Sequence, residues 1–184
     1  MRTSSTHPLR VDWLHVEGDK GCIGMTLCPG KYQPVAQTGS WNRQLIPDVE
    51  SLVQYNTDLL VSLITNEDME ILRVTDLPKV VAQKGLDWAH LPFADTTAPS
   101  PEWMEMAAPV YDRILASIPD GERIVVHCMG GLSRAGTFVA IYLYLRGFSM
   151  NDAIAKIHRE RSPSCINARQ EEFLFALERK PLDD

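Results

Sequence analysis

The 184-residue sequence is short of several features, and each shortage excludes a class of protein. It has no long apolar run. The longest, Phe138–Leu145, falls far below the ~20 residues that span a bilayer. The opening MRTSSTHPLR has no apolar signal core, so residues 1–10 are expected to be a frayed, flexible polar tail and the location to be a reducing cytoplasm. There is no CxxC pair. Cys22, Cys28, Cys128 and Cys165 form no metal pattern with His7, His15, His90 or His158, so neither metal nor other cofactor is expected. Positive charge is also scarce. A net charge of −6 disfavours broad binding to nucleic acid or anionic membranes, although one or two well-placed cations suffice to hold a phosphate. No repeat or low-complexity segment divides the chain, and its length suits one domain, taken as residues 11–184.

What the sequence does contain is an alternation of strands and helices. Asp12–Val16 and Cys22–Leu27 flank two glycines and read as a hairpin, followed by a polar loop over Gly30–Trp41. Pro47 opens a short helix with Val49, Leu52 and Val53 on one face. Asp58–Ile64 reads as a buried strand, Asn66–Lys84 as a helix interrupted near Pro78, and Leu86–Leu91 as another strand. Ser100 and Pro101 start a helix with Trp103, Met106, Ala107, Val110 and Ile114 inward, which Pro109 is expected to kink or split. Arg123–His127 is a buried strand. Ala135–Arg146 is a helix apolar nearly all round, hence central. Two more helices follow, from Ser149 and from Asn167. The expected fold is α/β, a central largely parallel mixed sheet flanked by helices, in a single domain.

The chemistry concentrates in VVHCMGGLSRAGT. Cys128 ends a buried strand, and Arg134 begins a helix six residues later. In α/β sheets ligands bind beyond the carboxyl ends of the strands. A short loop there can turn successive N–H groups inward as an anion nest, and Gly130 and Gly131 permit the required backbone. The helix N-terminus adds partial positive charge, and Arg134 can fork two oxygens of a phosphate. The same field favours the thiolate of Cys128, the nucleophilic form. Attack on phosphorus would form phosphocysteine and expel an oxyanion that needs a proton. Asp95, in LPFADTTAPS, is the candidate acid, and then the base toward water. His127 reads as a buried residue that holds the loop through its ring. The other three cysteines read as inert apolar residues.

His127-Cys128-Met129-Gly130-Gly131-Leu132-Ser133-Arg134 resembles the HCxxGxxR signature of the protein tyrosine and dual-specificity phosphatases. The resemblance runs from about Asp58 to the C-terminus. The GGL-R loop and the small size look most like the kinase-associated phosphatase group. It implies metal-independent hydrolysis with Cys128 as nucleophile, Arg134 as phosphate-binding arginine, Asp95 as general acid and Met129 to Ser133 as the amide cradle. The chain departs from the pattern at Ala135, where a Ser or Thr hydroxyl usually stabilises the departing thiolate. Breakdown of phosphocysteine is therefore expected to be slow unless Ser133 or Thr137 compensates. Gln170 falls where some relatives position the hydrolytic water. It equally forms a capping-box spacing with Asn167.

Phosphoinositide phosphatases of this superfamily commonly carry lysines in the loop. Met129 and Leu132 are apolar, so the expected substrate is a phosphorylated protein, with phosphotyrosine leading and phosphoserine or phosphothreonine beside it. A phosphate or sulfate ion is expected to mimic that substrate, and the protein is expected to be a monomer. Trp41 and Arg43 either rim the pocket or lie buried. Two rival readings are a phosphopeptide-binding pseudophosphatase, hinted at by Ala135, and a rhodanese-like sulfurtransferase, which needs neither a loop arginine at this spacing nor an acid loop.

Overall fold

A computed structural model of the protein describes residues 1–36 and 39–179. Its central sheet has five strands in the order β1-β2-β7-β5-β6. These are β1 (Asp12–Leu14), β2 (Cys22–Thr26), β5 (Leu59–Ser62), β6 (Asp87–His90) and β7 (Arg123–His127). The hairpin read from the sequence is present, since β1 pairs with β2 antiparallel from Asp12↔Met25 to Leu14↔Ile23. The other neighbours are parallel, and β7 lies between β2 and β5. The mixed, mostly parallel sheet in a single domain agrees with the sequence reading. β5 and β7 are buried runs rich in Leu, Ile and Val, as a strand covered on both faces requires.

Among the described residues seven helices surround the sheet: α1 (Leu45–Gln54), α2 (Asn66–Ile71), α3 (Leu77–Gln83), α4 (Pro101–Asp120), α5 (Ser133–Leu145), α6 (Met150–Glu160) and α7 (Ala168–Arg179). α5 is buried along ten consecutive residues from Arg134 to Leu143, which is why its sequence shows almost no polar face. The break between α2 and α3 falls at the expected interruption, with Pro78 in the first turn of α3.

Four expectations are corrected. Pro109 does not split α4, which continues through it for 20 residues. Burial of Trp103, Ala107, Tyr111, Ile114 and Ile118 along one stripe outweighs the lost backbone bond. Met106 and Val53, expected inward, flank such stripes and are exposed. The Gly30–Trp41 loop holds a two-residue ladder between β3 (Tyr32–Gln33) and β4 (Trp41–Asn42). Residues 1–10, expected as a frayed tail, pack on the body. The Arg2 amide donates to Ser40 O at 2.8 Å, Arg43 Nη1 to His7 O at 2.9 Å and the Tyr55 hydroxyl to Leu9 O at 2.9 Å. Leu9 joins the core, and its burial gives a polar segment a reason to dock.

Candidate active site

β7 delivers Cys128 to the carboxyl edge of the sheet, and β5 delivers Leu63 beside it. His127 holds the base of the loop. Its Nδ1 lies 3.2 Å from Cys128 O, and its Nε2 lies 2.6 Å from Ser62 Oγ, which accepts from Trp88 Nε1 at 2.8 Å. One proton arrangement satisfies the chain: Nδ1–H donates to the carbonyl, and Nε2 accepts from the Ser62 hydroxyl. Burial pushes the imidazole down to about 4, so the ring is neutral near pH 7.

The loop then turns sharply at Gly131, with φ +66°. A Cβ there would stand 2.2 Å from Thr26 O, so both backbone angle and space demand glycine. Leu132 precedes α5, and no side chain caps the helix. The first rung is the Gly136 amide to Leu132 O at 2.7 Å, so the amides of Ser133, Arg134 and Ala135 precede the helical ladder. An uncapped N-terminus with a left-handed glycine before it suits an anion.

Arg134 is fully buried, and among the described residues its side-chain hydrogen bonds all run from one nitrogen. Its Nη1 donates to Asp68 Oδ2 at 2.7 Å, Phe93 O at 3.0 Å and Leu63 O at 3.3 Å. Among the described residues its buried Nε and Nη2 have no hydrogen-bond partner, Nε lying 3.3 Å from Asp95 Oδ1 as a charge contact. The guanidinium is thus fixed by one nitrogen and presents the other two as a fork. Sequence reasoning missed Asp68. Its local signal is the capping box with Thr65 that opens α2, in which each residue's backbone N–H meets the other's side chain. That pattern discloses a helix start and says nothing of an arginine 66 positions away.

Asp95 lies in the loop after β6 with its side chain 43% exposed, and Thr96 beside it has φ +63°. α7 straps this loop: Asn167 Nδ2 donates to Thr96 O at 3.2 Å, and Gln170 Nε2 to Thr97 O at 3.0 Å. Gln170 Oε1 accepts from the Asn167 amide, and Asn167 Oδ1 from the Gln170 amide. The capping box, one of the two roles the sequence allows Gln170, is therefore present. The Gln170 side chain is fully buried, engaged at both ends, and stands outside the cavity wall.

The cavity measures about 390 Å³, and Cys128, Met129, Gly130, Leu132, Ser133, Asp95 and Lys31 are among its lining residues. Cys128 and Asp95, distant in sequence, thus share one cavity, and Arg134, six residues after Cys128, meets Asp95 through Nε. Trp41 and Arg43 do not rim it. Both are buried, and Arg43 pairs twice with Asp48, at 2.7 and 2.8 Å. The Thr137 hydroxyl donates to Ser133 O at 2.8 Å, so it is committed to its own helix. Burial raises the thiols of Cys22, Cys28 and Cys165, the last to about 11, which keeps them protonated and inert. Two further residues lie outside the sequence reading. Arg161, just past α6, donates to Gly131 O at 3.0 Å and Gly130 O at 3.1 Å while paired with Asp12, so it holds the loop's carbonyls on the side away from the nest. Lys31 donates to Met129 O at 3.1 Å.

A strand, a glycine turn, an uncapped helix and a half-anchored arginine define a cysteine-loop phosphatase type of site. Residues 38–176 match the family model described as the Swiss Army Knife protein, DSP-PTPase phosphatase domain, and the chain belongs to this family. It is similar to mouse cyclin-dependent kinase inhibitor 3, 23% identical over 86% of this chain and 73% of the relative. It is also similar to the tyrosine-protein phosphatase CDC14 of Candida albicans, 26% identical over 86% of this chain but only 27% of that longer relative. Among solved structures, kinase associated phosphatase with its catalytic cysteine changed to serine superposes with a TM-score of 0.81, at 21% identity over 93% of this chain and 94% of that one. Tk-PTP in its active form gives 0.63, at 23% identity over 90% of this chain and all of the other. At these identities the structural likenesses speak for the fold.

Proposed function

We propose that this domain hydrolyses phosphotyrosine in phosphorylated proteins, with phosphoserine or phosphothreonine as further substrates, through a phosphocysteine on Cys128. The observation that carries this reading is the state of Arg134: one nitrogen is tied to three acceptors, and among the described residues the other two, both buried, have no hydrogen-bond partner. Buried donors are nearly always paired, and a phosphate's two oxygens match this pair.

In the first step the fork and the loop amides hold the phosphate, and Cys128 Sγ attacks phosphorus. The S–P bond forms as the bond to the phenolic oxygen breaks, and Asp95 gives that oxygen its proton. In the second step Asp95 takes a proton from water, whose oxygen attacks phosphorus, and the thiolate leaves with the S–P electrons. The resemblance to a tyrosine-protein phosphatase and to a kinase associated phosphatase supports a phosphoprotein substrate. So do the apolar wall residues Met129 and Leu132.

The test is turnover of p-nitrophenyl phosphate and of a phosphotyrosine peptide. Wild type should turn over both, and Cys128→Ser should fall to background while retaining its melting temperature. Full activity in Cys128→Ser would remove the mechanism. Ala135, which offers no hydroxyl to the leaving thiolate, favours a second reading, a phosphopeptide-binding module. Tight binding with no turnover by wild type would select it.

A further inference from the structure

Lys31 is an anomaly of charge. The residue is 1% exposed, yet it lines the cavity with Cys128 and Asp95. Its Nζ donates to Gln33 Oε1 at 2.9 Å and Met129 O at 3.1 Å, both uncharged, and stands 5.6 Å from the Trp41 ring centroid. Among the described residues no carboxylate lies within 4 Å of it. Buried lysines without a counter-ion are rare because the desolvated charge is costly. An ammonium has three N–H donors, and two acceptors account for two of them.

The surrounding charges offer no hidden compensation. Arg43 and Arg161 both face Lys31, and each is matched to its own carboxylate, Asp48 and Asp12. Across the cavity, Asp95 is turned to Arg134. Of the two thiols that face it, Cys28 is kept protonated by burial. The cavity that Lys31 shares with Cys128 is where an incoming anion would meet it.

We propose that Lys31 is a second anion-binding group of the Cys128 cavity, contributing with Arg134 the positive charge that holds a phosphate dianion; this rests on the phosphatase reading above. Arg134 supplies a fixed fork at the inner end. Lys31 supplies a point charge from the Met129 side, held in place by Gln33 and the Met129 carbonyl. Gln33 Nε2 also lies 3.4 Å from Met129 Sδ, so the pair is seated against the loop itself. Unlike Arg134, Lys31 is titratable near neutrality, because burial lowers it to about 8. Substrate affinity is therefore strong below pH 8 and weakens above it. An enzyme that depended on Arg134 alone would lose no binding charge in that range.

The probe is sulfate, a dianion throughout this range, binding to Cys128→Ser protein by calorimetry at pH 6.5 and 9.5. The serine variant removes the nucleophilic thiol. In that background sulfate affinity should fall roughly tenfold at the higher pH, the scale of one hydrogen bond between charged groups. Adding Lys31→Met should lower affinity by a similar factor at pH 6.5 and abolish the pH dependence. Adding Lys31→Arg, which keeps its charge, should hold affinity level across both pH values. Equal sulfate affinity in the Cys128→Ser protein and in its Lys31→Met and Lys31→Arg derivatives at both pH values would overturn the proposal, as would an alkaline loss that survives Lys31→Arg. Sulfate binding that persists undiminished in Lys31→Met overturns it too, while leaving the phosphatase reading intact. Absence of any sulfate binding, together with no turnover by wild type, would bring down both.

Discussion

Ala135 is fully buried in the first turn of α5, directly after Arg134. A hydroxyl at this point would donate to the sulfur as it leaves phosphorus. The nearest substitute in the helix, Thr137, is bound to Ser133 O and is not available. Ser133 lines the cavity but precedes the arginine. Breakdown of phosphocysteine should therefore limit the rate. Rapid-mixing experiments on p-nitrophenyl phosphate should show a burst of about one p-nitrophenol per site and then a slow phase. Ala135→Ser should raise the slow phase about tenfold and leave the burst rate unchanged. That is below the roughly 10²–10⁴-fold range of positioned proton donors, because the group only donates a hydrogen bond. Equal slow phases in the two proteins would show that the missing hydroxyl does not matter. Cys128, Arg134 and the glycine turn are legible at this scale because they lie within one short stretch and each residue type has a distinct chemistry. Asp68, Arg161 and Lys31 are not, because each acts across a long sequence separation through an ordinary-looking surface residue type.

The loop that carries Asp95 forms one mechanical element with α7. Asn167 and Gln170 cap α7 with their backbone partners and direct their remaining donors to Thr96 O and Thr97 O. A helix start is thereby used to hold Asp95 within 3.3 Å of Arg134. Gln170→Ala removes one cap partner and one strap. It should cost about 1–2 kcal/mol, lowering the melting temperature by roughly 2–8 °C. Single-turnover measurements should show slower attack for a peptide phosphotyrosine, whose leaving group needs the acid. The reaction of p-nitrophenyl phosphate, whose leaving group needs it less, should be spared. Slowing confined to the breakdown phase at unchanged melting temperature would instead place Gln170 at the hydrolytic water. At this scale the sequence pattern is informative where it is periodic: β7, the β1–β2 hairpin and the apolar α5 all lie where the pattern indicates. It is least informative where packing overrules a local rule, as at Pro109 inside α4, and where the ladder is two residues long, as at β3 and β4.

Stability against pH belongs to the whole molecule, and His127 sets its acid side. Burial holds the imidazole down to about 4 from an ordinary value of 6.5. Above pH 6.5 both folded and unfolded chains carry a neutral ring, and its contribution is fully present. Between 6.5 and 4 the unfolded chain takes up a proton that the folded one refuses, so stability falls as pH falls. Each pH unit costs at most about 1.4 kcal/mol, roughly 3 kcal/mol across the window. Urea midpoints between pH 7 and 4.5 should decline accordingly. His127→Asn, which keeps a donor for Cys128 O, should be less stable at pH 7 but flatter with pH. An unchanged acid slope in that variant would assign the loss to other groups.

The sequence by itself determined the local parts of this protein: a buried strand that ends at Cys128, two glycines that let the loop turn, a helix that begins at Arg134, and the alternation that makes the sheet mostly parallel. These follow from backbone angles, side-chain volume and hydrophobic period, which act over a few residues. The tertiary structure decided how the parts are charged and held. It brought Asp68 under one nitrogen of Arg134, placed Arg161 against the loop carbonyls, packed the first ten residues through Leu9, and left Lys31 buried at the cavity with no carboxylate within 4 Å among the described residues. Such long-range pairings depend on the whole packing of the core, because a charge finds its partner only after burial has fixed where both can go.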